Sequence, residues 1–136
     1  MPRASVQIRV PFPDVDSSGR IHFTAMLRYM EVVEHELMRS IGFPYVKPLP
    51  GVVFPRVHVS CDFRGAIRYD DLLRVEARVA RVGGSSWSLT FTARAWQDDN
   101  EGAPLAEGEM TIVAMDPETE RARPLPSDLR DALASE

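Results

Sequence analysis

From Val6 to Phe12 apolar and polar residues alternate as far as Val10, the two-residue period of a strand with one buried face, and Pro11 and Pro13 end it. The period then changes. Between Thr24 and Ile41 the apolar residues Met26, Met30, Val33, Leu37 and Ile41 recur every three or four positions, with Leu27, Tyr29 and Met38 widening the stripe. This spacing predicts an amphipathic helix of about five turns, opened by Thr24 as N-cap and stopped by Gly42 and Pro44. After the proline-rich loop from Pro44 to Gly51, strand patterns return at Val52 to Phe63 and at Leu73, Val75, Ala77 and Val79. They continue across a Gly83-Gly84 turn at Trp87, Leu89, Phe91, Ala93 and Ala95. A turn at Asp98 to Gly102 leads to a last strand near Leu105 to Met115, and Ser127 to Leu133 reads as a short capped terminal helix.

The order is strand, long helix, then four strands joined mostly by tight turns. It predicts one domain over residues 1–136, of α+β class, with the helix burying its stripe against an antiparallel sheet. A sheet of this size leaves edges to cover, and pairing two copies edge to edge would cover them.

Composition narrows the partners. The net charge is −4 with acidic and basic residues intermixed, so no basic stripe exists to attract a phosphate backbone, and nucleic acid is excluded as a partner class. No uncharged apolar run approaches the roughly 18 residues of a membrane span, and the first residues lack an apolar stretch of signal length. With Cys61 as the one cysteine, the reading is a soluble cytoplasmic protein without disulfides. All basic residues but Lys47 are arginines, an excess that codon bias in a GC-rich genome accounts for as a whole, while the forked donors of particular arginines suit phosphate groups on a small anionic ligand.

Several chemistries fall away for want of a motif. The chain has no glycine-rich phosphate loop, no Gly-x-Ser-x-Gly elbow and no Cys-x-x-Cys pair. His22, His35 and His58 lack metal-site spacing, so no metal is expected, and His58 and Cys61 point to opposite faces of their strand. On the helix, Glu34 falls at the flank of the apolar stripe and Glu31 further round. A carboxylate beside an apolar stripe needs a partner or a job. Asp14 and Asp16 stand in the turn Asp14-Val15-Asp16-Ser17-Ser18-Gly19, flanked by Phe12 and Phe23, which would partly desolvate a carboxylate there. Unpaired N–H groups at the helix start offer donors to a developing oxyanion. The same residues also suit a plain Asx turn that shapes the loop, and composition does not separate the two readings.

The string Phe12-Pro13-Asp14-Val15-Asp16-Ser17-Ser18-Gly19-Arg20-Ile21-His22-Phe23, followed by Leu27-Arg28-Tyr29-Met30-Glu31, resembles the start of hotdog-fold acyl-CoA thioesterases of the 4-hydroxybenzoyl-CoA thioesterase type. Val59 to Phe63, Ala66 to Leu73, Val82 to Ser86 and Leu105 to Gly108 resemble that family's strand signatures in the same order. The resemblance implies a hotdog fold, one long helix on a curved five-stranded antiparallel sheet, assembled as a homodimer or homotetramer. It implies hydrolysis of an acyl-CoA thioester without a cofactor. Asp16 would be nucleophile or general base, the backbone N–H of Phe23 the oxyanion donor and Asp14 a loop-shaping residue. It also nominates Gly84, Ser85 and Ser86 with Arg64, Arg68 and Arg81 for coenzyme A, while the helix pattern, apart from the resemblance, offers Glu31 or Glu34 as a carboxylate that touches the substrate.

The chain departs from the pattern in two places. Phe23-Thr24-Ala25-Met26 replaces a stretch richer in side-chain donors, and Phe12 stands where some relatives carry tyrosine, so the expected pocket is more apolar. Two rivals share the fold: an enoyl-CoA hydratase or dehydratase, for which no Asp-x-x-x-x-His or His-Pro signature is present, and a non-catalytic acyl-CoA binding module.

Overall fold

The computed structural model describes residues 1–136. Its elements are β1 (Arg3–Arg9), a 3-10 turn at Phe12–Asp14, α1 (Phe23–Ser40), β2 (Arg56–Phe63), β3 (Leu72–Val82), β4 (Ser86–Gln97), β5 (Asn100–Val113) and α2 (Ser127–Ala134). All five strands join one antiparallel sheet in the order β1-β3-β4-β5-β2, the α+β layout of one long helix on a five-stranded sheet that the patterning predicts.

The alternation in β3 and β4 sorts their side chains by face. Leu73, Val75, Ala77 and Val79 on β3 and Trp87, Leu89, Phe91 and Ala93 on β4 are buried, while their neighbours face out. Against this face α1 lays Met26, Met30, Val33, Leu37 and Met38, all buried, and Leu129 and Leu133 of α2 close the core. Each such side chain contributes about 1.5–3 kcal/mol relative to exposure. Gly108 on β5 sets how closely the helix sits. A Cβ there would lie 2.9 Å from Met30 Cε and 2.8 Å from the Ser60 carbonyl oxygen, so only glycine admits both the helix and the edge strand.

Element ends differ from the sequence reading for identifiable reasons. The first strand is Arg3–Arg9 rather than Val6–Phe12, because it pairs with β3 from Arg3 onward and the backbone turns at the prolines. The last strand begins at Asn100, since Gln97 pairs with Asn100 across a tighter turn than the one expected at Asp98 to Gly102. The third segment is a strand only from Arg56, upstream of which Val53 makes a lone bridge to Met115. Thr24 is not the cap of α1. His22 is, its Nδ1 accepting the Thr24 N–H at 3.3 Å. The terminal helix follows Pro126 and has no side-chain cap.

Two edges remain. Along β1 the outward residues are polar, whereas β2 shows Val57, Val59 and Phe63 at 62%, 44% and 45% exposure beside an unpaired row of main-chain groups. No helix is long and apolar enough to cross a membrane.

Candidate active site

The turn between β1 and α1 is built by main-chain bonds that bring its ends together. Val15 bridges Ile21, the Asp16 N–H donates to the Arg20 carbonyl at 2.9 Å, and the Gly19 N–H donates back to Asp16 O at 3.0 Å. Gly19 holds φ +78°, a left-handed conformation that suits glycine and closes the loop. Ile21 N–H then donates to the Ile67 carbonyl at 2.8 Å and Arg20 bridges Arg68, docking the turn on the segment after β2.

Inside this loop the Asp16 carboxylate is held by one oxygen. Oδ1 accepts from the Ser18 N–H at 2.8 Å and from the Ser18 hydroxyl at 2.5 Å, leaving Oδ2 free. The hydroxyl first and the N–H second hold the carboxyl below the usual carboxylate range. The desolvation expected from Phe12 and Phe23 is not found within one chain. Asp16 is exposed, and Phe12, at 70% exposure, turns away to meet Tyr69 edge-on at 5.6 Å.

Phe23 is the first residue of α1 and its N–H meets no acceptor in the chain. The His22 ring takes the next N–H and the His22 carbonyl takes that of Ala25 at 2.9 Å. One open donor therefore remains at the helix start, where the aligned peptide dipoles favour negative charge. Asp16, Ser18, Arg20, Phe23, Phe63 and Ile67 line one cavity of about 220 Å³. Asp16 and the residue that carries the open donor line one space, an arrangement suited to attack on a carbonyl whose oxygen gathers charge at the helix start.

Asp14, two residues earlier, is placed differently. It is buried, with Oδ1 accepting from Arg28 at 2.5 Å and Oδ2 from the Tyr29 hydroxyl at 2.6 Å, and its carbonyl accepts the His22 N–H at 2.7 Å. The Tyr29 hydroxyl, then Arg28, outweigh burial and keep this carboxyl below its ordinary range, while burial and the adjacent carboxylate raise the Tyr29 phenol. Both oxygens are committed, so Asp14 ties the turn to the helix.

Of the helix glutamates, Glu34 is fully buried. Its Oε2 accepts from Arg56 and from the Tyr45 hydroxyl at 2.7 Å, its Oε1 has no partner, and the Arg56 guanidinium lies over the Tyr45 ring at 5.1 Å. This cluster fastens the start of β2 and the loop before it to α1. Glu31 is exposed and lines a second cavity of about 430 Å³ with His35, Tyr45 and Arg56 over an apolar floor that includes Leu49 and Phe54.

The six residues nominated for coenzyme A are not together in one chain. Gly84 and Ser85 lie in the β3–β4 turn, with Ser86 and Arg81 on the adjoining strand ends, beside Ile112 and Val113 and so at the Arg56 end of β2. Arg64 and Arg68 follow the Phe63 end, where Arg64 N–H donates to the Leu105 carbonyl. Eight residue steps along β4 from Ser86 to Arg94 separate the two ends by roughly 25 Å. Arg64 approaches Glu107 at 3.5 Å and Arg81 donates to Ser88 Oγ at 3.2 Å, whereas the Arg68 side chain is unengaged. His35 lies edge-on to Tyr45, His58 stands 4.0 Å from Glu109, and no three His, Cys, Asp or Glu side chains gather as a metal site. Cys61 packs half-buried against the core, and burial raises its thiol.

Ser18, Arg20 and Arg56 also join these contacts, though no period or motif marks the two arginines. An Asp-x-Ser spacing is a signal for Ser18, since it suits a side-chain turn. Arg20 and Arg56 meet their counterparts only through the long-range fold.

A model of the thioesterase superfamily matches residues 18–103 of the chain. The chain is 25% identical over 123 residues to the acyl-CoA thioester hydrolase YbgC of Escherichia coli, covering 90% of this chain and 89% of that protein. Among solved structures it superposes on a 1,4-dihydroxy-2-naphthoyl-CoA thioesterase from Synechocystis with a TM-score of 0.86 at 17% identity, over 98% and 96% of the two chains. A mutant 4-hydroxybenzoyl-CoA thioesterase complexed with 4-hydroxybenzoyl-CoA gives a TM-score of 0.86 at 18% identity, over 98% and 100%.

Proposed function

The chain belongs to the thioesterase superfamily, and from that premise we propose that it is an acyl-CoA thioester hydrolase in which Asp16 supplies the reactive oxygen and the Phe23 N–H receives the oxyanion. The observation that carries this reading is the shared cavity, lined by Asp16 with its one free carboxylate oxygen and by Phe23, whose helix-start N–H has no acceptor. Because Ser18 holds Oδ1, Oδ2 is the atom that faces the thioester. It either adds to the carbonyl carbon, expelling the coenzyme A thiolate and leaving an anhydride that water opens, or takes a proton from a water that adds in its place. Both routes put negative charge on the carbonyl oxygen at the Phe23 N–H, and neither asks for a metal or organic cofactor.

The free edge of β2 supports a homodimer. Antiparallel pairing of two β2 strands would cover Val57, Val59 and Phe63 and complete the unpaired main-chain row. It would also set the Phe63 end of one chain, with its Asp16 cavity, against the Arg56 end of the other. Arg64 and Arg68 would then face Gly84, Ser85, Ser86 and Arg81 of the second copy across one coenzyme A path. The larger cavity with Glu31 would lie next to the reacting carbonyl as a receptacle for the acyl group. Pairing of such dimers would give a homotetramer. A coenzyme A thioester substrate and a lone, half-buried cysteine support a cytoplasmic setting.

Thiol release from a panel of short, long and aromatic acyl-CoAs tests the reading. Turnover of at least one class is expected, and the absence of any release by correctly folded protein would overturn it. Light scattering after size-exclusion should give a dimer mass or a multiple of it, and a monomer would remove the two-chain site.

A further inference from the structure

Phe43, Pro44, Tyr45, Lys47, Pro48 and Leu49 are six of the 14 residues that line the larger cavity, so the segment 43–50 between α1 and β2 is its main wall. The segment is pinned at its two ends. The Gly42 and Phe43 N–H groups donate to the Arg39 and Met38 carbonyls at 3.1 and 2.9 Å, and the Gly51 carbonyl accepts from Arg123 Nη1 at 3.0 Å. Gly42 and Gly51 hold φ +88° and +71°, left-handed positions where glycine turns freely. Between them hydrogen bonding is sparse. From Pro44 to Pro50 the segment makes one internal bond, Lys47 N–H to the Pro44 carbonyl at 3.0 Å, and one bond to the rest of the chain, the Tyr45 hydroxyl to Glu34 Oε2 at 2.7 Å. Pro44, Pro48 and Pro50 offer no N–H and restrict φ, so the segment keeps its shape as a unit.

A stiff segment that turns on two glycines and is tied by one side-chain bond has the build of a lid. That bond can break without stranding a charge. Arg56 keeps Glu34 Oε2 and is itself held by the Phe54 carbonyl at 2.9 Å, while the freed phenol passes into water. Burial first, then the Glu34 carboxylate, raise the Tyr45 phenol, so its hydroxyl remains a donor throughout the working pH range. Bulk in the cavity would open the latch. At about 430 Å³ the cavity lies near the lower end of the roughly 300–1,000 Å³ of small-molecule sites, so a large acyl group fits only with the lid displaced. Resting on the hydrolase reading above, in which this cavity receives the acyl group, we propose that Tyr45 determines which acyl lengths are accepted. Its hydroxyl on Glu34 latches residues 43–50 as a lid, short acyl groups are turned over with the lid shut, and long ones have to open it.

Thiol release from acetyl-CoA and dodecanoyl-CoA by wild type and Tyr45→Phe tests the latch, since phenylalanine keeps the ring and removes the hydroxyl. The ratio of kcat/KM for dodecanoyl-CoA over acetyl-CoA should rise about tenfold, as for one lost hydrogen bond to a charged group, with the KM of the short chain unchanged. Limited chymotrypsin digestion gives a readout independent of turnover. Cleavage after position 45 should quicken about tenfold in the variant while cleavage at other aromatic positions does not. If wild type hydrolyses acyl-CoA and the ratio does not rise in the variant, the latch is wrong and the hydrolase reading stands. If neither thioester is hydrolysed, yet the variant is cut faster after position 45 and binds dodecanoyl-CoA, but not acetyl-CoA, more tightly by calorimetry, the latch stands and the hydrolase reading falls. Equal losses for both thioesters, with faster cleavage at every aromatic position, would mark a purely structural bond and overturn the latch.

Discussion

Asp14 and Asp16 stand two residues apart in one turn and differ in burial and in how many carboxylate oxygens the fold commits. Asp14 is buried, with both carboxylate oxygens taken by Arg28 and Tyr29 on α1. Asp16 is exposed, with one oxygen fixed by its neighbour Ser18 and the other open to a cavity. Both carboxyls are held below the usual range, so acidity alone does not separate them. The free oxygen does. A carboxylate spent on the fold has no lone pair left for a substrate, whereas one held at a single oxygen is both oriented and available.

The contrast breaks most sharply at Asp16→Asn. In the proposed mechanism it removes the reacting oxygen, so kcat should fall about a thousandfold, while the melting temperature stays within about 1 °C of wild type, as for other exposed substitutions. Steady-state kinetics beside calorimetric melting would show the split. Retained turnover would transfer the reactive role elsewhere.

Next in size is Arg56→Met, which leaves Glu34 buried without its cation. Stripping one partner from a buried pair costs about 3–5 kcal/mol, and the 30% exposure of the arginine side chain puts the expected loss at or below the low end, about 3 kcal/mol by urea unfolding. A loss under about 1 kcal/mol would mean that the cluster is not what fastens β2 to the helix.

Asp14→Ala should lose about 2 kcal/mol by stranding the Tyr29 hydroxyl and Arg28. Its activity should fall less than that of Asp16→Asn. The pH dependence has a definite sign. Because the folded carboxyl of Asp14 lies below the ordinary aspartate range, its stabilisation is complete above that range and is lost as pH falls through the lower folded value. Below about pH 4 the stability gap between wild type and the alanine variant should therefore narrow. A gap constant down to pH 2 would contradict the two hydrogen bonds.

The smallest effect belongs to Ser18→Ala. Without its hydroxyl donor the Asp16 carboxyl rises toward its ordinary value, so the acid limb of the kcat/KM profile should move to higher pH. The rate at neutral pH should drop only several-fold as the carboxylate loses a fixed orientation. Ser18→Thr should restore both. An acid limb that does not move would separate Ser18 from the reacting group.

Much of the fold was legible because side-chain burial follows local period. The alternation from Leu73 to Val79 and from Trp87 to Ala93 is the alternation of buried positions, and Met26, Met30, Val33 and Leu37 are the buried stripe of α1. What escaped depends on distant partners or on one atom's choice among neighbours. Arg56 meets Glu34 across 22 residues and Arg20 meets Arg68 across a docked loop, neither of which a period can encode. His22 caps α1 although the flanking Thr24 is the commoner capping type, because its ring nitrogen reaches the second N–H of the helix. For the acidic turn, local sequence left two readings of equal form. The geometry now adds an open oxygen and an open donor on one side of the balance. The expected aromatic desolvation of Asp16 required knowing where Phe12 points, and it points at Tyr69.

The placement of two cavities at opposite ends of β2 has a genetic corollary. If each site takes its carboxylate from one chain and its β3–β4 turn from the other, two variants dead for different reasons should rescue each other. A mixed dimer of an Asp16→Asn chain with a chain defective in the Ser85 turn concentrates both lesions in one site and leaves the other whole. Co-expression of two silent alleles would then yield mixed dimers with half their sites alive beside homodimers that stay silent.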